Sequence, residues 1–385
     1  ERIETLDADG AGTFAEKISG ASDIFDNQRC GPDDLAAILY TSGTTGRSKG
    51  AMLSHDNLLS NSRALVDAWR FSAEDRLIHA LPIYHTHGLF VATNIMLLAG
   101  GSMIFLPKFD ADAVMRVMPG ATSMMGVPTF YTRLLRHPDL SRESTRHMRL
   151  FVSGSAPLLA ETHREWSDRT GHAILERYGM TETNMNTSNP YDGRRIAGTV
   201  GRPLPNVSLR VVEPESGIPL KTGEIGMIEV KGPNVFKGYW RMPEKTKAEF
   251  RSDGYFITGD LGKVDQNGYV HIVGRGKDLI ITGGFNVYPK EIEEEIDALP
   301  GVMESAVIGL MHRDFGEGVT AIVVAQGGAE IAEKDVMEAL EGRLAKFKLL
   351  KRVIFVDDLP RNAMGKVQKN VLREQYAKLY LPGAA

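Results

Sequence analysis

The sequence is organised around one stretch rich in glycine and hydroxyl residues, Tyr40-Thr41-Ser42-Gly43-Thr44-Thr45-Gly46-Arg47-Ser48-Lys49-Gly50. It follows an apolar run over 35–39 and precedes Ser54, which is a candidate N-cap for a helix. Glycines let a ligand approach the backbone closely, while backbone N–H groups, hydroxyls and a lysine supply hydrogen-bond donors. A strand, this loop and a helix therefore predict a phosphate-binding cradle. The alternative interpretation is an ordinary surface turn.

The loop is not a Walker A motif. That motif requires lysine directly after its second glycine. Here Arg47 and Ser48 follow Gly46, so that Lys49 stands too far along the chain. The spacing therefore excludes a Walker A loop.

Length, composition and charge restrict the classes of protein to which the chain can belong. The 385 residues are enough for two or three domains, and 42% hydrophobic with 24% charged residues is ordinary for a globular protein. A net charge of -4 gives no general electrostatic footprint for nucleic acid. The single Cys30 excludes a disulfide framework and fits a reducing, cytoplasmic compartment. No apolar run reaches the ~18 residues of a membrane span. Because the chain starts Glu1-Arg2-Ile3, we expect an N-terminal part to be missing.

The pattern of apolar and polar residues changes twice along the chain. Short apolar runs alternate with amphipathic stretches as far as about residue 190, which predicts layered α/β structure with a buried, largely parallel sheet. From there to about residue 276, alternating segments and glycine turns predict a β-rich subdomain. A helix over 290–299, strands over 306–310 and 320–325, a helix over 334–344 and a strand over 353–356 then predict a compact α+β unit. We therefore predict a large domain over 1–276 and a small domain over 277–385.

Further polar clusters follow the first loop at strand ends or glycine turns, where α/β folds place their sites. In chain order they are Ser153-Gly154-Ser155-Ala156-Pro157, Glu176-Arg177-Tyr178-Gly179-Met180-Thr181-Glu182, Thr258-Gly259-Asp260, Gly274-Arg275-Gly276-Lys277-Asp278, Thr282-Gly283-Gly284-Phe285 and Asn362-Ala363-Met364-Gly365-Lys366. Taken together and in this order, they resemble the adenylate-forming superfamily of acyl-CoA synthetases, luciferases and peptide-synthetase adenylation domains. The resemblance covers about residues 33–369.

The resemblance implies a large adenylation domain followed by a small mobile α+β domain that carries the catalytic lysine. It also implies a two-step reaction with ATP, Mg²⁺ and coenzyme A. A carboxylate attacks the α-phosphate of ATP to give an acyl-adenylate and pyrophosphate, and a thiol then displaces AMP.

The same resemblance implies a role for each motif. The ATP phosphates would be held by the first loop, through Thr41, Ser42, Gly43, Thr44, Thr45, Gly46 and Lys49. The adenosine would be held by Gly154, Ser155, Ala156, Tyr178, Asp260 and Arg275, with Asp260 accepting from the ribose hydroxyls. Glu182 would bind Mg²⁺, and the catalytic residues would be Lys366, His85 and Thr181. Lys277 and Asp278 would form the hinge, and Gly283 and Gly284 would line a tunnel for the CoA arm.

Two features of the small domain follow from the same comparison. Acylation of Lys366 would remove its charge and stop adenylation, which implies an acetyltransferase and a deacetylase as partners. Leu350 stands where the superfamily commonly has proline, and we expect it to loosen the start of the strand that follows.

The acyl pocket points to a dicarboxylate. His85, Thr86 and His87 belong to a His-Thr-His-Gly segment, and Arg177 replaces the small residue usual before the Tyr-Gly-x-Thr-Glu core. An arginine makes sense if the acid carries a second carboxylate that its planar fork can bind. The combination resembles the malonyl-CoA synthetases, and Thr86 and Met185 would then decide whether methylmalonate fits.

Several alternatives stay open. Arg194 or Arg195 could share the second carboxylate, or Arg177 could simply pair with Glu176 or Glu182. The enzyme could also be a short-chain monocarboxylate–CoA ligase or an adenylation module that loads a carrier protein. A non-catalytic, nucleotide-sensing relative is the remaining class.

Overall fold

The computed structural model describes residues 3–7, 9–41, 49–362 and 365–380, so positions 42–48 of the first loop lie outside the described residues. Helix α1, Thr13–Ile18, precedes a hairpin of β1, Leu35–Thr41, and β2, Lys49–Ser54. The strand before the loop and the helix capped by Ser54 are both confirmed, but the second strand, β2, between the loop and that helix was not predicted. Helix α2, His55–Trp69, begins only after β2 and is capped by Ser54, whose hydroxyl accepts from the Asn57 N–H at 3.2 Å.

The predicted parallel sheet forms the centre of the large domain. Its strands are β3 Arg76–His79, β4 Ser102–Phe105, β5 Ser123–Gly126, β6 Leu150–Ser153, β7 Leu175–Met180, β8 Asn184–Ser188 and β9 Arg202–Pro203. They lie in the order β4-β3-β5-β6-β7-β8-β9, and the first five run parallel while the last two pair antiparallel. A separate apolar core packs on each side of the sheet, one around Trp69 and the other around Trp166.

The helices of this domain are α3 Thr93–Ala99, α4 Ala111–Val117, α5 Pro128–Leu135, α6 Arg142–Thr145 and α7 Ala160–Thr170. Residues His87–Ala92 form a π-helical turn that runs into α3. Such wide turns often occur at functional sites, and this one contains His87 and brings the Gly88 carbonyl within 3.0 Å of His79 Nε2 at the end of β3.

The β-rich part is an antiparallel sheet of β10 Ser208–Val212, β11 Gly226–Lys231, β13 Phe256–Val264 and β14 Val270–Arg275. The short strand β12, Gly238–Tyr239, leaves this part and pairs with β2, so that Tyr239 lies opposite Ala51. Helix α8, Pro243–Ala248, follows it.

The small α+β unit is confirmed. Its strands are β15 Ile280–Thr282, β16 Phe285–Val287, β17 Val302–His312, β18 Gly316–Ala325 and β19 Arg352–Phe355, and its helices are α9 Pro289–Asp297, α10 Glu333–Leu340 and α11 Lys369–Gln375. Helix α10 ends four residues earlier than predicted, shortly before Gly342, whose φ of 80° is left-handed. Leu350 is buried in the core of this unit, so it adds apolar packing before β19 instead of loosening it.

Side chains join the small unit to the rest of the chain. Lys290 donates to the carbonyl of Ile272 at 3.0 Å, and Arg136, directly after α5, lies 3.8 Å from the Met303 sulfur. A 3₁₀ turn, Gly276–Asp278, lies between β14 and β15. The boundary at residue 276 stays a prediction. Within the described residues, none of the helices combines the length and apolarity that a membrane crossing demands.

Candidate active site

The predicted acyl-pocket residues meet at the carboxyl edge of the central sheet. His85, Thr86 and His87 follow β3, and Arg177 lies in β7, while Gly154 and Ser155, predicted for the adenosine side, follow β6. Because β3, β5, β6 and β7 are parallel neighbours, their carboxyl ends open to the same side. Residues far apart in sequence are therefore brought together.

Arg177 is buried without a counter-charge. The residue is 3% exposed, and its Nε and Nη2 donors have no hydrogen-bond partner among the described residues. Its guanidinium lies flat against Gly154, where a Cβ would come 2.5 Å from the Arg177 Cζ. Burial lowers the pKa of Arg177 to about 9, opposed by the nearby Tyr131. Buried unpaired donors are costly, so an anionic ligand at this point would be strongly favoured.

The alternative pairing of Arg177 with a neighbouring carboxylate is wrong for the described residues. Glu176, the preceding residue, is buried with its Oε1 unpaired, and burial raises its pKa to about 8. Glu182 instead accepts a hydrogen bond from Tyr239 at 2.9 Å. The fork of Arg177 thus remains available for a ligand.

Two neutral histidines lie next to Arg177. The backbone N–H of His87 donates to His85 Nδ1 at 3.3 Å, and His87 Nδ1 lies 3.2 Å from the Ser155 hydroxyl. Burial, then Lys366 and Arg177, lower the pKa of His85 to about 4. Burial and Arg177 hold the pKa of His87 well below its usual value. Uncharged at neutral pH, both rings can accept as well as donate.

Asn184 and two predicted residues border this group. Thr86 is buried and donates to Asn184 Oδ1 at 3.1 Å, while Asn184 Nδ2 has no partner among the described residues. Met185 is also buried, and its methyl lies over Gly179, where a Cβ would come within 2.6 Å. Asn184 has a left-handed backbone, with φ at 49°, and nothing in its sequence context predicted its place here.

A second group of residues forms the predicted adenosine side. Asp260 receives a hydrogen bond of 2.5 Å from the Tyr178 hydroxyl at Oδ2 and an ion pair of 2.9 Å from Arg275 Nε at Oδ1. Asp260 and Arg275 are cross-strand neighbours of β13 and β14, so the register fixes the pair. Burial and Asp260 raise the pKa of Tyr178 well above its usual value. Each Asp260 oxygen keeps a further lone pair for a ligand hydroxyl.

The phosphate side contains two residues that sequence reasoning missed. Lys49 donates to the Tyr239 hydroxyl at 2.9 Å and lies 3.4 Å from Glu249 Oε1. The Tyr239 hydroxyl also lies 2.6 Å from Glu249 Oε2 and reaches Glu182. Lys49 and Glu182, predicted for phosphate and metal, are thus joined through Tyr239. Neither Tyr239 nor Glu249 stands in a glycine-rich turn, so the motif search had no signal for them.

The predicted metal ligand of the site is a single carboxylate, that of Glu182. No group of three or more His, Cys, Asp or Glu that could hold an ion occurs in the part of the chain that the structure describes. Glu182 is a single buried carboxylate already oriented by Tyr239. Mg²⁺ is usually bound by one or two carboxylates together with substrate phosphates and water. The residues therefore fit magnesium that is carried by a nucleotide.

Lys366 connects the two sides of the cleft. Its loop is held by a hydrogen bond of 3.0 Å from its backbone N–H to Asn362 Oδ1. The residue is exposed, yet desolvation and the nearby Arg275 lower the pKa of its ammonium. Arg177 adds to this effect, while Asp260 and Glu182 oppose it. The lysine thus lies among residues of both the acyl and the adenosine sides.

Arg195 and Arg194 are the other arginines that were considered for the second carboxylate. Arg195 donates to the carbonyls of Ala173, Pro190 and Tyr191, so its fork is occupied and it is wrong as a substrate ligand. Arg194 is exposed.

Three further pairs keep their predicted roles only as predictions. Ala156 and Thr181 are half-buried beside Ser155 and Glu182. Gly283 and Gly284 form an exposed turn with left-handed φ values of 57° and 82°. At the predicted hinge, Lys277 is exposed and Asp278 pairs with Arg373 at 2.6 Å.

Residues 2–240 match the family described as AMP-binding enzyme, and residues 291–366 match the AMP-binding enzyme C-terminal domain. The chain therefore belongs to the AMP-binding enzymes. Its adenylate-forming fold, with a large N-terminal and a small C-terminal domain, is confirmed.

Individual proteins are similar to this chain over most of its length. The chain is 41% identical over 373 residues to the malonate–CoA ligase of Arabidopsis thaliana, covering 89% of this chain and 61% of the relative. It is 72% identical to ATP-bound MatB from Rhodopseudomonas palustris, with a TM-score of 0.96, covering 98% of this chain and 75% of that one. Apo MatB from the same organism gives a TM-score of 0.81 at the same identity and coverage. The chain spans 61 to 65% of the length of the first curated relatives it matches.

Proposed function

We propose that this chain carries the activity of an ATP-dependent malonate–CoA ligase, which forms malonyl-CoA, AMP and pyrophosphate through a malonyl-adenylate. The observation that carries the proposal is the buried Arg177, whose Nε and Nη2 have no partner among the described residues. The likeness to the malonate–CoA ligase of Arabidopsis supports the same assignment.

The chemistry of Arg177 argues for an acid with a second carboxylate. A hydrocarbon tail would leave the buried guanidinium unpaired, at a cost of about 1–3 kcal/mol for each unsatisfied group and more for charged ones. A carboxylate would instead receive two parallel N–H bonds from the fork. His87, neutral and unpartnered at Nε2 within the described residues, can add a further donor. Thr86 and Met185, both buried, would bound the space around C2 of the acid and decide between malonate and methylmalonate.

In the first step an oxygen of the reacting carboxylate bonds to the α-phosphorus, and the bond from that phosphorus to the pyrophosphate oxygen breaks. Lys366 would stabilise the charge that develops between the carboxylate and the α-phosphate. Asp260 would bind the ribose hydroxyls, and Lys49 with the first loop would bind the leaving pyrophosphate. Magnesium, held by Glu182, would offset the negative charge of the phosphates.

In the second step the thiol of CoA bonds to the acyl carbon, the carbon–oxygen bond to AMP breaks, and the thiol proton is released. The superfamily resemblance implies that the small domain rotates about Lys277 and Asp278 between the steps, so that Lys366 leaves and Gly283 and Gly284 line the CoA tunnel. Acylation of Lys366 by an acetyltransferase would then act on the first step alone. A reducing compartment such as the cytoplasm suits the exposed, free Cys30.

The test measures AMP release with CoA and a panel of acids that includes malonate, methylmalonate and propionate. Arg177→Ala should lower kcat/KM for malonate at least about thirtyfold, because removing one partner of a buried charge pair costs about 2–5 kcal/mol. Activity with propionate should stay within threefold, and Arg177→Lys should lie between. Arg116→Ala, at an exposed position of α4 with no predicted role in the site, is the matched control.

Each other outcome has a defined meaning. An unchanged kcat/KM for malonate in Arg177→Ala would overturn the assignment of the acid. Activity of the unaltered chain with propionate alone would favour a monocarboxylate ligase. AMP release that requires a carrier protein in place of CoA would favour an adenylation module.

A further inference from the structure

One phenolic hydroxyl lies among three charged groups at the phosphate side. The Tyr239 oxygen is 2.9 Å from Lys49 Nζ, 2.9 Å from Glu182 Oε1 and 2.6 Å from Glu249 Oε2. Tyr239 is only 2% exposed, and its ring also lies under the Lys49 ammonium at 4.1 Å. The position is fixed by sheet pairing, because β12, which carries Tyr239, pairs with β2, whose first residue is Lys49.

The hydrogen-bonding capacity of this hydroxyl makes its partners interdependent. A phenol has one proton to donate and two lone pairs to accept with. Lys49 uses a lone pair, so the single proton can serve the carboxylate of Glu182 or that of Glu249, but not both at once. A change at Glu249 must therefore alter what Glu182 receives.

Glu249 is also a rival anion for Lys49. Its Oε1 lies 3.4 Å from Lys49 Nζ, and the same oxygen lies 2.7 Å from Lys245 on the preceding turn of α8. Lys245 is thus the closer cation. Glu249 can give up Lys49 to a phosphate and still keep a partner, which avoids the cost of a bare carboxylate in a half-buried position.

We propose that Tyr239 and Glu249 are positioning residues that couple phosphate binding at Lys49 to metal binding at Glu182. Glu249 competes with the nucleotide phosphates for the Lys49 ammonium. The result of that competition determines whether the Tyr239 hydroxyl proton is donated to Glu249 or to Glu182. This inference rests on the proposed function, since it takes Lys49 and Glu182 as the phosphate and metal residues of an ATP site. Neither Tyr239 nor Glu249 needs to touch the nucleotide.

The first arm of the test measures ATP binding by calorimetry in EDTA. Glu249→Gln keeps the size of the side chain and removes the rival charge, so the Kd for metal-free ATP should fall about three- to tenfold. The gain must require Lys49, so Lys49→Ala/Glu249→Gln should bind no more tightly than Lys49→Ala. Glu244→Gln, on the exposed side of the same helix, is the matched control and should leave the Kd unchanged.

This design separates competition for Lys49 from a general field effect. Loss of any negative charge near an anionic ligand raises affinity by long-range electrostatics. An equal gain in the Lys49 and Lys49→Ala backgrounds, or a weaker affinity of Glu249→Gln, would overturn the competition.

The second arm titrates Mg²⁺ into the ATP complex. Tyr239→Phe keeps the ring beneath Lys49 but removes the hydroxyl that orients Glu182. The Mg²⁺ concentration for half-maximal binding should rise about tenfold, while the Kd for metal-free ATP changes less than threefold. Tyr380→Phe removes a hydroxyl that contacts Thr320 in the small domain. It is the control for the loss of a tyrosine hydroxyl elsewhere in the chain. Equal losses with and without Mg²⁺ would overturn the role of Tyr239.

Failure of the two proposals can be told apart. If the unaltered chain bound no ATP, the proposed function would be wrong and the coupling would fall with it. If the chain bound ATP normally but Glu249→Gln gave equal gains in both backgrounds, only the coupling would be wrong.

Discussion

The contact between Gly154 and Arg177 gives a sharp test of the acyl pocket. In Gly154→Ala the new Cβ would lie 2.5 Å from the Arg177 Cζ, 2.6 Å from Nη1 and 2.7 Å from Nε. Carbon atoms in contact normally lie ~3.5–4.0 Å apart, so the guanidinium must move by about 1 Å. The flexible arginine can move, so we expect little loss of folding stability. The cost should appear in substrate positioning.

A displacement of about 1 Å at a substrate-binding group can cost on the order of 10²-fold in rate. We therefore expect kcat/KM for malonate to fall about 30- to 100-fold in Gly154→Ala, while kcat/KM for propionate falls less than threefold. Comparing the two acids within one variant cancels any effect on ATP. Gly120→Ala is the control, because its Cβ would meet only Arg76 Nη1 at an ordinary 3.6 Å. Equal losses for both acids would refute the placement of Arg177 beside the substrate.

Three further predictions address other parts of the account. Lys366→Gln, which mimics acylation, should lower malonate-dependent pyrophosphate exchange at least about 10²-fold but leave thioester formation from preformed malonyl-adenylate within threefold; equal losses in both assays would contradict the role of Lys366. Thr86→Ser keeps the hydroxyl bonded to Asn184 and removes one methyl, so kcat/KM for methylmalonate relative to malonate should rise about tenfold, and an unchanged ratio would remove Thr86 from the pocket wall. Burial raises the pKa of Glu176 to about 8, above the usual 4.5, so native stability should fall as pH rises from about 4.5 to about 8. Glu176→Gln should abolish this decline and gain a few kcal/mol at pH 8.5, at most about 5, and urea unfolding at pH 5 and 8.5 that shows the same decline in both proteins would contradict it.

Much of the fold could be predicted because its signals are local. Short apolar runs became the parallel strands β3, β5 and β6, and the alternating segments became the antiparallel sheet of the β-rich part. Ser54 was identified as an N-cap because capping depends on neighbouring residues. The strand β2 was missed because Gly50 and Ala51 have weak β-propensity. Pairing with β1 and β12 makes them a strand, and that pairing is non-local.

The site residues also divide into those that local sequence predicts and those that only tertiary pairing reveals. Motif order predicted Asp260, Arg275, Arg177 and His87, and the structure brings each into one of two neighbouring groups. Arg195 has the same chemistry as Arg177 but donates to three carbonyls, which no local pattern reveals. Tyr239 and Glu249 were missed because their importance comes from β12 crossing to β2, a contact between residues about 190 positions apart. Sequence thus identified the residues with motif context, and tertiary pairing identified those without it.

The most direct test of the central claim follows oxygen from substrate to product. The chain would be incubated with ATP, Mg²⁺, CoA and malonate labelled with ¹⁸O in its carboxylates, and the products analysed by mass spectrometry. If a malonate oxygen attacks the α-phosphorus, each AMP released should carry one ¹⁸O, in step with malonyl-CoA formation. Unlabelled AMP, or label in inorganic phosphate with ADP as the nucleotide product, would contradict an adenylate intermediate on this site.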